Sequence, residues 1–580
     1  MCGIFALLNN HYFKYDEIYN EFMKGKGRGP EFSKLDNSYM KMDLGFHRLA
    51  INGLNEESNQ PLVINDIILI CNGEIYNYKS LYSSMGIIPN TGSDCEVIIH
   101  LYLKYGIEQT LILLDGVYSF ILYDNRISND LNNKIYIARD PLGIRPLYYL
   151  KNKSNKNNNS KLYGFASELK CLEKFYNYDI EHLSIEQFTP GTYSIFNLSN
   201  KISCSWEPLK ENISYFLPMF PTFIDDLFDN EQNKLIYDGL TLALATCLES
   251  SVNKRCLTTE RPIACLLSGG LDSSLISALV SHYYKKNNLE TPLETYSIGL
   301  EDSEDLKYAR IVADWIESNH TEIIVSEEDM FNAIPEVIYA IESYDTTTVR
   351  ASIGNYLLGK YIAANSDAKV IFNGDGSDEL LGGYLYMNKC HDDIEFDKES
   401  RRLLKDIHLF DVLRSDKSIS SNGLEPRTPF LDRNFVNFVL SLPPYYRNHN
   451  NFSGPEKRIL RESFKNITDK RFILNGYNSE KQLLPDNILF RRKEAFSDGV
   501  SSHGRSLYKI LQEKIAEKMN LDNNVNIWEA NIKTEKEYYK SIFDKYFPNC
   551  SNILPYYWMP KYTNAEDPSA RTLELYDKKE

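Results

Sequence analysis

The spacing of apolar residues changes partway along the chain, and this change limits the folds that the sequence can adopt. Residues 1–205 read as short apolar strands broken by glycine, proline and asparagine turns, as in CGIFALL and IILICNGEIYN. Beyond residue 233, buried strand runs such as IACLL alternate with amphipathic helices. The sequence therefore predicts a unit of two packed sheets, followed by a unit with a parallel sheet and crossover helices.

The chain divides into four predicted segments. Residues 1–205 form the strand-rich unit, 206–233 a linker whose FLPMFPTF composition marks a boundary, 234–560 the second unit, and 561–580 a polar, frayed tail. The segment KNKSNKNNNS has no apolar residue, which predicts a solvated hairpin loop. The second unit is predicted to become mostly helical towards its C-terminal part.

Composition excludes several classes of protein. The 580 residues, of which 43% are hydrophobic and 25% charged, are typical of a chain with several folded domains. The 64 basic and 80 acidic residues give a net charge of −16, which disfavours nucleic acid as a main partner. No stretch approaches the roughly 20 apolar residues that span a bilayer, so no membrane partner is expected. The ten cysteines contain no CxxC pair, which predicts reduced thiols in the cytosol.

Cys2 stands out because it follows the initiator methionine. If Met1 is removed, the thiol and a free α-amine lie on the same residue. An α-amine has a pKa of about 7.7–8.0 and a thiol about 8.5, so the amine can relay the thiol proton near neutral pH. Cys2 is therefore a candidate nucleophile with its own base.

Seven motifs follow Cys2 in the strand-rich unit. They are, in chain order, Arg28-Gly29-Pro30, His47-Arg48-Leu49, Asn59-Gln60-Pro61, Asn72-Gly73-Glu74-Ile75-Tyr76-Asn77, Ser93-Asp94-Cys95-Glu96, Asp115-Gly116-Val117-Tyr118-Ser119-Phe120 and Ala138-Arg139-Asp140-Pro141-Leu142-Gly143. In this order they strongly resemble the class II glutamine amidotransferase domain of N-terminal-nucleophile type. The resemblance implies an α+β sandwich with two antiparallel sheets between helices.

The same resemblance assigns roles within a glutaminase site. Arg48 would bind the α-carboxylate of glutamine, and Glu74 and Asp94 would receive its α-ammonium group. Asn72 and the amide of Gly73 would form the oxyanion hole.

A glycine-rich loop marks the second unit. Ser268-Gly269-Gly270-Leu271-Asp272-Ser273-Ser274 follows a buried strand and opens a helix, so its amides and hydroxyls can hold a pyrophosphate. The loop lacks the GK[ST] ending of a Walker A motif and resembles the N-type ATP pyrophosphatases. That resemblance implies an α/β parallel-sheet domain and an ATP site formed by Leu266, Ser268, Gly269, Gly270, Asp272, Ser273, Ile298, Asn373 and Gly374. It also implies Mg²⁺ on Asp272 and Asp378.

Further segments narrow the substrate. ESYDTTTVRAS at 342–352 and FNGDGSDELLGGY at 372–384 resemble the acceptor and catalytic segments of glutamine-hydrolysing asparagine synthetases, with support from GLEPRTPFLD, EKRILR and RKEAFSDG. The resemblance makes Thr347, Thr348 and Arg350 candidates for the acceptor site. Lys457 would reach the phosphates and stabilise charge during adenylation.

The chain departs from that family at Asp375. Where the family usually has glutamate, this carboxylate is one methylene shorter, a shift of roughly 1.5 Å. The loop Met387-Asn388-Lys389-Cys390-His391 also differs from the usual run. We expect Asp375 to be catalytic, with three alternatives left open: a lower rate, compensation by the backbone, or a changed acceptor.

The resemblance implies an ATP-dependent ligase that uses glutamine and aspartate. Cys2 would free ammonia, which attacks β-aspartyl-AMP to give asparagine, glutamate, AMP and pyrophosphate. The nearest alternative adenylates a different carboxylic acid. A reaction like that of β-lactam synthetase is less favoured because it does not need the cysteine, and a non-catalytic binding protein is disfavoured by the retained site residues. A homodimer is left open.

Overall fold

The computed structural model describes residues 1–126, 133–153, 161–199, 204–221, 230–465, 482–493, 499–501, 505–519 and 527–573. Most of the predicted hairpin loop, at 154–160, lies outside these residues, as do 494–498 of the RKEAFSDG motif and 574–580 of the predicted tail.

The first unit consists of two antiparallel sheets. Its strands are β1 Gly3–Leu8, β2 Phe32–Tyr39, β3 Met42–Arg48, β4 Leu62–Ile64, β5 Ile67–Ile75, β6 Gly116–Asp124, β7 Lys134–Arg139, β8 Tyr148–Asn152, β9 Tyr163–Ala166, β10 Leu183–Gln187, β11 Thr192–Ser199 and β12 Ser205–Ser214. The strand orders are β10-β8-β9-β1-β3-β2 and β12-β11-β7-β6-β5-β4. Its α-helices are α1 Tyr15–Met23, α2 Tyr78–Met85, α3 Val97–Leu113 and α4 Glu173–Tyr178.

Alternation along the strands explains this layering. In β1, Ile4 and Ala6 face the space between the two sheets, whereas Phe5 and Leu7 pack against helices. The strand β5 divides its side chains in the same way between the sheet interface and α3. Both faces of each sheet are therefore buried, which gives the predicted sandwich of two sheets between helices.

The second unit contains a parallel sheet of order β15-β14-β13-β16-β17. Its strands are β13 Ile263–Leu266, β14 Glu294–Gly299, β15 Asn319–Ile324, β16 Val370–Phe372 and β17 Glu425–Arg427. Its α-helices are α5 Asn230–Leu257, α6 Leu271–Lys286, α7 Glu304–Ile316, α8 Glu327–Asn332, α9 Ile334–Ile341, α10 Thr346–Asn365, α11 Ser377–Leu381, α12 Asp393–Asp406, α13 Asp411–Ser420, α14 Arg433–Ser441, α15 Pro444–Arg447, α16 Arg458–Lys465, α17 Asp486–Leu489, α18 Leu507–Lys518 and α19 Ile527–Tyr546. The predicted parallel sheet and helical C-terminal part are both present.

Two predicted boundaries differ from the structure. The linker was predicted to begin at residue 206, but Trp206 lies in β12, which pairs with β11 of the first unit, and its side chain is fully buried. The predicted frayed tail is wrong for residues 561–573, since Asp567 is buried and Leu573 packs in a hydrophobic cluster. The strand β12 and residues 561–573 are both rich in polar residues, because only part of each faces the core.

Residues 233–257, within α5, are long and apolar enough to cross a membrane by length and composition. However, Leu244, Leu248 and Val252 pack in the core of the second unit. These contacts are those of a core helix.

Buried ion pairs join the two units. Arg28 of the first unit bonds through Nη1 to Asp416 Oδ2 of α13 at 2.7 Å. The next residue of α13, Lys417, contacts Glu342 and lies 3.2 Å from Glu168 Oε2 of the first unit. Burial raises the pKa of Glu168, but Lys170, Lys417 and Arg28 outweigh it and hold this pKa well below its usual range. This part of the interface is therefore a charged network closed to solvent.

Candidate active sites

The first candidate site lies at the start of β1. Cys2 precedes this strand, and its Sγ donates to the carbonyl of Leu49 at 3.7 Å. Burial raises the pKa of the Cys2 thiol, and burial lowers the pKa of the adjacent N-terminal ammonium of Met1 to about 6. The Met1 amine in this structure is therefore largely neutral at pH 7.

Asn72 and Gly73 lie on β5, which packs against β1. The Asn72 side chain is fully buried, and its Nδ2 lies 3.4 Å from Ser167 Oγ, which also accepts from the amide of Ile4. A Cβ at Gly73 would lie 2.5 Å from the Val117 carbonyl oxygen, so this position requires glycine.

Arg48 ends β3 and is held by the loop that follows it. Its Nη1 donates to the Asn55 carbonyl at 2.9 Å and to Asn59 Oδ1 at 2.8 Å, and its Nη2 bonds to the carbonyls of Asn52 and Gly53. These acceptors fix the orientation of the guanidinium. Because all of them are neutral, they do not compensate its positive charge.

Two carboxylates face one another beside this arginine. Glu74 accepts from Asn52 Nδ2 at 2.8 Å, and Asp94 accepts from the amide of Ile75 at 2.6 Å. Burial raises the pKa of Asp94 to about 6, and burial together with the charge of Asp94 raises the pKa of Glu74 well above its ordinary value. A cation bound here would relieve this repulsion.

The second unit also contributes to the first site. Arg427 at the end of β17 lies 3.5 Å from Glu74 Oε2 and 2.8 Å from Glu425 Oε1. The GLEPRTPFLD motif contains both residues, but the sequence gives no sign that they contact the first unit.

The second candidate site is a cavity of about 220 Å³ at the carboxyl ends of β13, β14 and β16. It is lined by predicted nucleotide residues, namely Leu266, Ser268, Gly270, Asp272, Ser273, Ile298, Asn373 and Gly374. Gly269 lies in the same loop and has a φ of +71°, which favours glycine. A Cβ at this position would lie 2.5 Å from the Ala309 amide nitrogen, so no other residue fits. Ser268 Oγ and Ser273 Oγ lie 3.1 Å apart, so they close the loop on itself.

Two lysines and two aspartates cluster beside this loop. Lys457 Nζ lies 2.6 Å from Asp272 Oδ2 and 2.5 Å from Asp378 Oδ1, and Lys493 Nζ lies 2.6 Å from Asp378 Oδ2. Burial alone would raise the pKa of Asp378, but the two lysines outweigh it and hold this pKa well below its usual range. The Asp378 carboxylate is therefore charged, and the two lysines lie beside the loop where phosphates could contact them. The RKEAFSDG motif contains Lys493, but the sequence does not mark it as a site residue.

Asp375 lies in the same cavity, next to an arginine that the sequence analysis did not identify. Arg414 Nη2 lies 3.2 Å from Asp375 Oδ1 and 2.7 Å from Asp411 Oδ1. Asp375 is flanked by Gly374 and Gly376, and at both glycines a Cβ would collide with a neighbour, at 2.8 Å and 2.4 Å. The position of this carboxylate is therefore set by tightly packed glycine backbone.

The three predicted acceptor residues separate in the structure. Thr347 and Thr348 line the cavity, but Arg350 is not among its lining residues. Its guanidinium forms bidentate pairs with Glu535 and Asp567, at 2.6–2.9 Å. The prediction that Arg350 binds the acceptor is not supported, because its planar fork is fully engaged by these two carboxylates.

Comparison with known proteins gives one family match for each of the two units. Residues 1–202 match the glutamine amidotransferase domain family, and residues 243–395 and 388–476 match the asparagine synthase family. Glutamine-hydrolysing asparagine synthetases of Cricetulus griseus and Homo sapiens are each 39% identical to the chain over 597 residues, and the match covers 99% of both chains in each case. The Gallus gallus enzyme is similar to the same extent. The chain belongs to the glutamine-hydrolysing asparagine synthetase family.

Proposed function

We propose that the protein makes asparagine from aspartate, with ATP as the energy source and glutamine as the nitrogen donor. The observation that carries this proposal is the presence, on one chain, of the Cys2 site and of a cavity that combines the Ser268 loop with Asp375. The full-length similarity to asparagine synthetases supports the same reaction.

The first half-reaction would take place at Cys2 after removal of Met1. The Cys2 thiol attacks the amide carbon of glutamine while its proton passes to the α-amine. The amine returns this proton to the departing nitrogen, so ammonia leaves as the thioester forms, and water then hydrolyses the thioester to release glutamate and the free thiol. Asn72 and the Gly73 amide stabilise the oxyanion. Arg48 binds the α-carboxylate, and Glu74 and Asp94 bind the α-ammonium group. The pKa of Glu74 is raised by burial and by Asp94 although Arg427 lies 3.5 Å away, so a bound ammonium would add a counter-charge.

The second half-reaction would take place in the cavity of the second unit. Leu266 and Ile298 contact the adenine, and the residues Ser268, Gly269, Gly270, Ser273, Asn373 and Gly374 hold the phosphates. The β-carboxylate of aspartate attacks the α-phosphorus, and pyrophosphate leaves beside Lys457, whose charge stabilises it. Ammonia then attacks the acyl carbon, AMP leaves, and Asp375 accepts the proton from nitrogen.

The donor set at the phosphate cluster suits Mg²⁺. Asp272 and Asp378 share the Lys457 ammonium, so their oxygens lie together. Among the described residues no group of three acids, histidines or cysteines could hold a metal, so substrate phosphates would complete the coordination, as is usual for this ion. Bound there, Mg²⁺ would neutralise charge on the triphosphate.

We also propose that the protein works in the cytosol. All ten cysteines are free thiols. Cys71 and Cys95 form no disulfide although both are buried in the same hydrophobic core. Free thiols throughout a chain are typical of a reducing compartment.

The decisive experiment measures pyrophosphate release with ATP and a panel of amino acids and other carboxylic acids. Aspartate should support release, AMP should form in equal amount, and added glutamine should yield asparagine. Release with another acid but not with aspartate would favour the alternative acceptor, and no release with any acid would favour a binding protein. Intact-mass analysis should show loss of Met1.

A further inference from the structure

We propose that Glu260 and Arg427 of the second unit are positioning residues of the glutamine site in the first unit. Glu260 holds the loop that orients Arg48, and Arg427 supplies the positive charge that favours the ionised form of Glu74. The inference rests on the proposed function of the Cys2 site and extends that site beyond the unit that carries the thiol. Neither residue lines the ATP cavity.

The loop after Arg48 is held from the second unit through one peptide group. The carbonyl of Asn52 accepts from Arg48 Nη2 at 3.4 Å, and the amide of Gly53, which belongs to the same peptide group, donates to Glu260 Oε1 at 3.0 Å. The amide of Glu260 in turn donates to the Ile51 carbonyl at 3.0 Å. Because a peptide group is planar, a bond to its N–H fixes the direction of its C=O. Glu260 therefore sets a carbonyl that orients the Arg48 guanidinium.

The neighbours of Glu260 in the chain contact the same loop. Arg261 Nε donates to the Ala50 carbonyl at 2.8 Å, and Arg261 Nη2 lies 2.6 Å from Glu31 Oε1. The Thr258 carbonyl accepts from Asn52 Nδ2 at 3.1 Å. Residues 258–261, which connect α5 to β13, therefore contact the loop 50–53 along its length.

Arg427 and Asn52 converge on one oxygen of Glu74. Asn52 Nδ2 donates to Glu74 Oε2 at 2.8 Å, and Arg427 Nη2 lies 3.5 Å from the same oxygen. The Thr258 carbonyl accepts from both donors, at 3.1 Å from Asn52 Nδ2 and 3.0 Å from Arg427 Nη2. Glu74 is thus held between a loop of its own unit and the end of β17.

The guanidinium of Arg427 is fixed beside Glu74. Its Nε lies 2.8 Å from Glu425 Oε1, its Nη1 bonds to the Arg255 carbonyl, and its side chain is fully buried. A buried charge acts strongly on a nearby carboxylate because little water screens it. Arg427 is therefore a permanent counter-charge to Glu74.

The ionisation of Glu74 depends on this arginine. Burial, Asp94 and Glu425 raise the pKa of Glu74, whereas Arg427 lowers it. Arg427 also lowers the pKa of Asp94. The charged and titratable groups that face Glu74 are Tyr78, Asp94, Cys95, Glu425 and Arg427. Without the cation among them, Glu74 would ionise only at higher pH and would attract the α-ammonium group of glutamine less at neutral pH.

The test measures glutamate release from glutamine across the pH range in which the wild type is folded. The variants are Glu260→Ala, Glu260→Gln, Arg427→Gln and Arg427→Lys, and the readouts are kcat, the KM for glutamine and the acidic limb of kcat/KM. Asparagine formation from ammonia is measured in each variant as a check on folding, because the ATP cavity does not include these residues.

Two further variants are matched controls. Glu322→Ala removes a second-unit glutamate whose partner, Arg310, belongs to the same unit. Arg433→Gln removes an arginine that does contact the first unit, but at the carbonyls of Ile112 and Leu114 rather than at the loop 50–53. Both should match the wild type in glutamate release.

Glu260→Ala should raise the glutamine KM about three- to tenfold, because one bond that orients the loop is lost. Its kcat should change little, since Cys2, Asn72 and Gly73 are untouched. Glu260→Gln should stay near the wild type, because its amide oxygen can accept the same bond.

Arg427→Gln should raise the glutamine KM on the order of 10–100-fold at pH 7, because it leaves buried carboxylates without their cation. Its acidic limb should move to higher pH by about one pH unit or more, the effect of removing an opposite charge at this distance. Arg427→Lys keeps the charge, so its limb should lie between those of the wild type and Arg427→Gln. A purely structural role would lower activity without moving the limb.

A glutamine KM within about twofold of wild type in Glu260→Ala, or an unmoved acidic limb in Arg427→Gln, would overturn the role of that residue. Equal losses in Arg433→Gln would overturn both roles, since any change at the interface would then suffice. If Arg427→Gln forms no asparagine from ammonia, the limb of Arg427→Lys decides. A wild type that does not hydrolyse glutamine would refute the proposed function, whereas hydrolysis by the wild type with unchanged variants would refute the inference alone.

Discussion

At the scale of single residues, Asp375 is the position where this chain departs from its family. We expect Asp375→Asn to lower asparagine formation by roughly 10²–10⁴-fold, the usual loss for a missing acid or base. Glutamine hydrolysis should not change, because Asp375 lies in the cavity of the second unit. Steady-state kinetics at saturating ATP measure both quantities.

Asp375→Glu is the matched comparison for that variant. It restores the reach that is usual in the family, so asparagine formation should be retained or increased, and glutamine hydrolysis should be unchanged in both variants. Wild-type turnover in Asp375→Asn would show instead that this carboxylate only stabilises a turn between two glycines.

The raised pKa of Asp94 predicts a pH dependence for glutamine binding. Burial raises this pKa to about 6, so the carboxylate is charged above pH 6 and protonated below it. Because only the charged form attracts the α-ammonium group, affinity should fall by up to about tenfold per pH unit below 6. Calorimetric titration of Cys2→Ala with glutamine separates binding from chemistry.

Asp94→Asn in the same background is the control for this titration. It should bind glutamine weakly at every pH and show a flatter profile. A dissociation constant that is the same at pH 5 and pH 7 in Cys2→Ala would contradict the assignment of Asp94 to the ammonium group.

Single residues also mark how far sequence reasoning reaches. Resemblance to known motifs predicted that Thr347, Asp375 and the Ser268 loop belong to one site, and all three line the same cavity. It failed for Arg350, since its partners Glu535 and Asp567 lie 185 and 217 residues further along the chain. Arg414 has no motif of its own, and only the packing of α13 against the cavity identifies it.

At the scale of elements, periodicity predicted regular strands better than it predicted boundaries. Continuous apolar runs identified β1, β5 and β13, because both faces of these strands are buried. The sequence predicts a linker where β12 lies, because most residues of β12 after Trp206 face solvent at the edge of a sheet. An edge strand with one buried face carries too few apolar residues for the pattern to be recognised.

The helix α13 holds the two units together through Lys417, and this contact can be tested. Lys417 is fully buried between Glu342 and Glu168. Lys417→Met should destabilise the protein on the order of 3 kcal/mol, because it leaves buried carboxylates without one of their counter-charges. Thermal unfolding followed by circular dichroism measures the loss.

Lys360→Met is the matched control, because Lys360 pairs with Glu336 on the surface with 58% of its side chain exposed. Such pairs contribute about 0–1 kcal/mol, so the unfolding temperature should barely change. Equal shifts in the two variants would mean that the buried network contributes no more than a surface pair.

At the scale of the whole molecule, the order of two domain types was predictable because each has its own apolar period and its own motifs. Their contact was not predictable. Arg427 at the end of β17 reaches Glu74 of the first site, across more than half of the chain. Such contacts depend on how the two folded units dock, and neither periodicity nor motif spacing predicts the docking.

The presence of two sites on one chain predicts that their activities can be removed separately. Cys2→Ala should abolish asparagine formation from glutamine and leave formation from ammonia, because the ATP cavity is lined by second-unit residues that do not include the thiol. Lys457→Ala should do the reverse: synthesis should be lost because a cation that contacts Asp272 and Asp378 is removed, whereas glutamine hydrolysis should persist. Glutamate and asparagine, measured with each nitrogen source in turn, give all four rates. If Cys2→Ala lost synthesis from ammonia as well, or if Lys457→Ala kept it, the assignment of one half-reaction to each unit would be wrong.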